Sequence, residues 1–276
     1  MIQRNNSLTV LPFYDNLDQQ HQYKPYAFGA IYPLFASAKL LIPFQFKIQH
    51  IDDFALLEQD KFIERISLVD ARTKSSISIY DAISQYIQRY TEQDIDYIVY
   101  TADTALSKNL AEGQYYLYIK FVDGQEAYSE VITIVNDIDR YLKISWWDEE
   151  DLTFDSGKII YENPSFRNIL YLDTDIGKPE YKFEEDGKER DGYFFAEKQL
   201  SEKVYKFVFI APEYVCDAIR FIRLSDNIVI SKSHDTYNVD SFLAEVNWQD
   251  QGDLANVDVE FRTGTVVKKI AAAWPK

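Results

Sequence analysis

The chain of 276 residues holds one cysteine, one methionine, nine glycines and three histidines, and each scarcity closes a class of function. With Cys216 alone, neither an intrachain disulfide nor a cysteine-ligated zinc or iron–sulfur centre can form. His21, His50 and His234 stand apart without a pairing interval, which leaves little for a histidine-based metal site and no His close in sequence to a nucleophile elbow. The glycines nowhere cluster into a phosphate-cradling loop, and no Gly-x-Ser-x-Gly elbow occurs. No run of about 18 uncharged apolar residues is present, so no helical membrane span is expected. The opening MIQRNNSLTVLPFY lacks the apolar stretch and cleavage site of a secretory signal, which points to a protein made in a cytoplasm. No catalytic residue, cofactor or metal site is expected, and the chain reads as a non-enzyme.

Basic residues are also in deficit, with 29 Lys and Arg against 45 Asp and Glu and a formal charge of -16. Divided after Asp139, the two parts carry 11 basic with 19 acidic and 18 basic with 26 acidic residues, so both sit near -8. That balance speaks against nucleic acid or an anionic lipid surface as a partner. Aromatic residues are abundant instead. Tyr (21) and Phe (18), together with frequent Ile and Val, supply apolar surface for packed cores and favour strands over helices.

The clearest strands are 114–122 (QYYLYIKFV) and 126–135 (EAYSEVITIV), which flank the turn pair Asp123-Gly124 and predict a hairpin with a two-residue primed turn. The segment Leu110-Ala-Glu-Gly113-Gln-Tyr115 resembles the corner that opens a late strand of immunoglobulin-like sandwiches. Further strands are expected at 40–48, 65–70, 75–79 and 97–101, and a short helix at 81–90 from the spacing of Ile83, Tyr86, Ile87 and Tyr90. From Arg140 onward a strand is expected at 141–147, followed by nine short ones at 159–161, 169–173, 181–184, 205–210, 220–224, 228–231, 244–248, 257–262 and 266–270. Turns are signalled at Asp186-Gly187, Asp191-Gly192 and Gln251-Gly252, and a short helix begins at Pro212. The fold class is all-β: two antiparallel β-sandwich domains, immunoglobulin-like, spanning 1–139 and 140–276, with one or two short helices.

Residues 1–38 interleave Pro12, Pro25 and Pro33 with Phe13, Tyr14, Tyr23, Tyr26, Phe28, Tyr32 and Phe35. Proline at this density interrupts ladders, while the aromatics are too many for a solvated linker. The segment reads as an extended arm whose Phe13, Tyr14, Tyr23, Tyr26, Phe28 and Tyr32 make assembly contacts. The Tyr-lined face of QYYLYIKF, carrying Tyr116 and Tyr118, is either an interface or half-buried within one sandwich.

Carboxylates beside aromatics, Trp146-Trp147-Asp148-Glu149-Glu150-Asp151, are what a sugar-binding platform or a glycosidase would use, with Trp146 and Trp147 as glycan contacts and Glu149 or Glu150 as an acid; a solvated loop is the plainer reading. Asp173-Thr-Asp175-Ile-Gly177 alternates acids ahead of a glycine as a calcium loop does, but lacks the remaining oxygen ligands and reads as a capped turn. Cys216, beside Val215 and Ile219, reads as a buried thiol, and His234-Asp235 as part of an exposed loop.

Four stretches together carry a resemblance. They are LPFYDNL...HQYKPYAFGAIYPLF...LLIPFQF, NILYLDTDIGKPEYKFEEDGKERDGYFF, KVYKFVFIAPEYVCDAIRFIRLSDNIVI and EVNWQDQGDLANVDVEF. The chain resembles structural proteins encoded in the virion and tail gene blocks of tailed phages and prophages of gut Bacteroidota. The motifs are aromatic and turn patterns, not catalytic signatures. The resemblance implies β-sandwich modules in a multi-copy virion component of the tail or baseplate region, whose partners are copies of itself and other virion proteins. The alternative is a carbohydrate-binding module that recognises a host surface glycan.

Overall fold

The computed structural model describes residues 3–6, 10–20, 34–49, 63–92, 95–103, 106, 110–148, 152–153, 160–161, 167–248 and 254–269. Its strands in the first half are β1 (Gln3–Asn6), β2 (Phe13–Tyr14), β3 (Leu34–Ser37), β4 (Phe44–Gln49), β5 (Ile63–Asp70) and β6 (Ser76–Ser78). They continue with β7 (Ser84–Glu92), β8 (Ile95–Asp103), β9 (Gly113–Phe121), β10 (Glu126–Ser129) and β11 (Ile132–Val135). The second half contributes β12 (Leu142–Trp147), β13 (Leu152–Thr153), β14 (Ile160–Tyr161), β15 (Asn168–Leu172), β16 (Glu180–Arg190) and β17 (Tyr193–Pro212). After helix α1 (Glu213–Ile222) come β18 (Asn227–Lys232), β19 (Asp235–Asn238), β20 (Ser241–Trp248) and β21 (Leu254–Lys269). The chain is therefore mostly β, with a single α-helix among the described residues.

In the first half, one sheet runs β1-β4-β8-β7 and another runs β2-β10-β9-β11-β3, with β5 and β6 added on the far side of β9. Their inner faces meet through rings: Phe13 lies 5.0 Å from Phe44 and 4.7 Å from Phe46, and Phe46 lies 5.7 Å from Phe121. Aromatic pairs at these distances add to what burial alone contributes. Strand β3 pairs with β11 in parallel, whereas the other described ladders are antiparallel.

Three expectations change here. Residues 81–90 form no α-helix: a 3-10 turn at Tyr80–Ala82 leads into β7, which pairs with β8 from Ser84↔Asp103 to Glu92↔Ile95. A full antiparallel ladder outweighs a helical spacing that Ile and Tyr satisfy equally well as strand formers. The hairpin at Asp123-Gly124 closes through a three-residue loop, 122–124, with Phe121 and Gln125 hydrogen-bonded at 2.9 Å and Gly124 supplying the left-handed residue at φ 86°. The arm is also built differently. β1 joins β4, β2 joins β10 and β3 joins β11, so the described parts of residues 1–38 are integral strands of the first half.

In the second half, β15-β12-β18-β19 form one sheet and β16-β17-β21-β20 another, with β13 and β14 as a separate pair. Tyr237 of β19 packs 4.8 Å from Tyr205 and 5.8 Å from Phe261, which brings the two sheets together. Helix α1 buries Val215, Cys216, Ala218, Ile219, Phe221 and Ile222. It continues through the residues expected to form a strand at 220–224, because that apolar stripe covers β17, β20 and β21. Short strands, as expected in this half, are found in β13, β14, β15 and β19, but not all are short. β17 runs for 20 residues and β21 for 16, merging the two strands expected at 257–262 and 266–270. Among the described residues no strand pairs across Asp139–Arg140, yet one buried cluster runs from Phe13 and Phe46 to Phe209 and Phe261. A smaller cluster of Tyr141, Ile169 and Tyr171 with Phe35 and Val135 closes the junction.

Candidate assembly surface

From Tyr205 to Ala211 strand β17 follows the period of two, with Tyr205, Phe207, Phe209 and Ala211 buried and Lys206, Val208 and Ile210 exposed. Further towards the start of β17 the core ends. The β17–β21 ladder slips between Ser201 and Lys203, and beyond it β16, β17 and the end of β21 run on as a three-stranded ribbon with both faces in solvent. Phe183 (73% exposed), Tyr181 and Val266 share one face, aligned through Phe183↔Ser201↔Val266. Leu200 and Val267 lie opposite each other on the other face.

The ribbon narrows to two strands at its tip. A bulge at Asp186/Gly187 bends β16, so this Asp-Gly pair makes no turn. The turn falls at the next one: Asp191 and Gly192 have φ of 55° and 80°, the primed geometry that matches strand twist, and Arg190 faces Tyr193 across it. Tyr193 (72% exposed) and Phe194 project from the tip. Lys188–Glu197 at 3.0 Å is an exposed cross-strand ion pair within the ribbon, and Lys182–Glu260 at 3.3 Å and Lys206–Glu180 at 3.1 Å lie at its base. As an 11-residue edge strand, β16 carries alternating charges that discourage indiscriminate strand pairing.

At the other end of β17 lies a cleft of about 710 Å³ between the halves. Leu34, Gln114 and Thr133 form its first-half wall, and Leu170, Phe209 and Val215 its second-half wall. Thr133 Oγ1 is buried without a hydrogen-bond partner among the described residues.

The residues singled out from sequence fare unevenly. Phe13 is 4% exposed and taken up by this chain's own core, so it is not offered to a neighbour. Tyr14 is half-buried with its hydroxyl towards Glu130, and burial first, then that carboxylate, raises its pKa. Tyr23, Tyr26, Phe28 and Tyr32 lie outside the described residues. The tyrosines of β9 serve the chain internally: Tyr116 is buried, and Tyr118, together with Tyr128 of β10, donates to the two oxygens of Glu126 at 2.6 and 2.5 Å. Burial and this bond push Tyr118 up to about 12, while the two phenols lower Glu126.

Trp146 is fully buried in the core and cannot meet a glycan, because the alternation of β12 turns it inward. Trp147 is half-buried under the Arg167 guanidinium, 4.3 Å from its ring. Asp148 is buried too, accepting from the Asp226 amide at 2.9 Å, and burial raises its pKa. Glu149 and Glu150 lie outside the described residues. In the 173–177 loop, Lys232 Nζ donates to Asp175 and to the Thr174 carbonyl, so an ammonium sits where a calcium ion would need those oxygens. Among the described residues no cluster of metal-ligating side chains occurs, and no helix is long and apolar enough to cross a membrane. Cys216 is buried, its thiol pushed up to about 11 chiefly by burial, and His234 is exposed on the turn between β18 and β19.

The ribbon was missed from sequence because its strands were divided at Asp186-Gly187 and near Gly264. The sequence shows the aromatics Tyr181, Phe183, Tyr193 and Phe194 there, but carries no local signal that they stay exposed. Comparison of the chain with protein-family models, with curated proteins and with solved structures returned no match.

Proposed function

We propose that the chain is a non-enzymatic structural subunit that acts by assembling in multiple copies through its projecting ribbon. One observation carries the reading: the ribbon exposes Tyr181, Phe183, Tyr193, Phe194, Val266 and Val267 on strands with no core of their own beneath them. Exposed apolar surface grouped in this way marks interaction sites. The resemblance to tail-region proteins of tailed phages gives such a subunit its setting, a virion tail or baseplate assembled in a bacterial cytoplasm. An immunoglobulin-like sandwich in the first half agrees with that setting. It is supported by the parallel β3–β11 pair and by the Tyr115 ring, which packs so closely on Gly113 that a Cβ there would come within 3.0 Å of it.

The charge of -16 keeps free subunits apart, so screening at roughly 0.5 M salt favours association. Light scattering after size exclusion tests the reading. The expected result is a mass above 32.3 kDa that rises with protein concentration and with salt, and that falls in the double variant Tyr181→Ser/Phe183→Ser. Association unaffected by that variant would remove the Tyr181 and Phe183 face of the ribbon from the account.

A further inference from the structure

Strand β17 carries an aromatic knob at one end and an apolar cleft at the other. We infer that the ribbon tip of one copy, Tyr193 and Phe194, seats in the cleft between the two halves of the next copy, giving a head-to-tail contact. The inference rests on the assembly reading and specifies its geometry.

A chain cannot fill its own cleft. The 20 residues of β17 span roughly 60 Å at about 3.3 Å per residue, and the cleft is lined by Phe209, Ala211 and Pro212 at the far end from Tyr193. The shapes correspond. Adjacent residues of a strand point to opposite faces, so the tip presents the Tyr193 ring on one side and the Phe194 ring on the other. The cleft has two walls to receive them. The first-half wall offers the exposed Gln114 amide to the phenol of Tyr193; the second-half wall offers exposed Ile210 to Phe194. At about 710 Å³ the cleft falls within the range of roughly 300–1,000 Å³ that encloses ligand-sized groups.

Charge permits the approach. Between 187 and 198, Lys188, Arg190 and Lys198 balance Glu189, Asp191 and Glu197, and the end of β21 adds Lys268 and Lys269. Lys198 and Lys269 share a row with Asp186, and Lys268 shares one with Glu185, so the tip is neutral on a chain of -16. Two aromatic side chains bury about 150–250 Å² each, so one contact is smaller than a standard stable interface and is weak and transient. Because the two surfaces differ, copies add in one direction and form a ring or a filament.

Complementation between two variants tests this. Phe194→Ser spoils the knob and Gln114→Trp blocks the cleft; both side chains are exposed, so neither change removes core packing. With light scattering at about 0.5 mM protein and high salt, wild type is expected to assemble and each variant alone to stay near 32.3 kDa. An equal mixture is expected to reach twice that mass and stop, since the intact tip of one fits the intact cleft of the other. Variants that assemble as well as wild type, or a mixture that stays monomeric while wild type assembles, overturn the tip-in-cleft geometry and leave the assembly reading standing. Wild type that stays monomeric under these conditions overturns both.

Discussion

Arg262 donates to Glu202 across 2.9 Å at the point where the β17–β21 ladder slips and the ribbon leaves the core. Glu202 is buried and has no residue opposite it on β21, so the guanidinium takes the place of a ladder partner. The pair anchors the ribbon's base. Glu202→Ala is expected to speed amide exchange at 198–204 and 262–267 while lowering the melting temperature by only a few degrees. A charge-assisted bond contributes about 1.5–3 kcal/mol, and the partly exposed Arg262 retains access to water. Hydrogen exchange read by mass spectrometry checks this, and uniform loosening of both halves would argue against a local anchor.

Phe13 meets Phe44 and Phe46 in the first-half core. Phe13→Ala should therefore cost about 3–5 kcal/mol, the range for buried Phe truncations. Deleting residues 1–38 should unfold the first half instead of yielding a folded chain that has lost an assembly arm, because β2 and β3 go with it. Denaturant unfolding followed by near-ultraviolet circular dichroism distinguishes the two outcomes.

Burial holds the Asp148 carboxyl above the ordinary aspartate range, despite the hydrogen bond from Asp226. The folded state then binds this proton more tightly than the unfolded state does. The group opposes folding above its folded pKa and ceases to do so as pH falls through that value. Asp148→Asn should match or exceed wild type at neutral pH, with the gap closing on acidification. Urea midpoints at neutral pH and near pH 4 provide the check; a gap that widens in acid contradicts the assignment.

Cys216 packs on the inner face of α1 with its thiol pushed up to about 11. At pH 8 a thiol-specific reagent should label it only as fast as the protein unfolds, and at full rate in denaturant. Rapid labelling of native protein would show that the helix opens locally.

At the tip turn, Gly192 has φ of 80°. Gly192→Val strains that turn by about 1–2 kcal/mol, frays the tip and leaves the melting temperature of the core unchanged. The expected readout is weaker association in light scattering with an unaltered thermal transition.

Three Asp-Gly pairs illustrate how much was legible. All three read alike in sequence, yet Asp123-Gly124 closes a three-residue loop, Asp186-Gly187 is a bulge within β16, and Asp191-Gly192 alone makes the two-residue primed turn. Local chemistry permits a turn at each; the register of the flanking ladders selects among them. The same competition turned 81–90 into a strand and carried α1 through 220–222. For the candidate site, Tyr181, Phe183, Tyr193 and Phe194 were visible as aromatics, but nothing local distinguishes them from Tyr116 or Phe13, which are buried.

The sequence by itself determined the all-β character, through its Tyr, Phe, Ile and Val content, and, with Cys216 alone, that no disulfide forms within the chain. It also set the acidic surface. Tertiary structure alone decided which aromatics are covered and which face solvent, that β17 outruns its core, and that a cleft opens where the halves meet. A period of two assigns side chains to alternate faces of a strand, but whether a face is covered depends on segments far away in the chain.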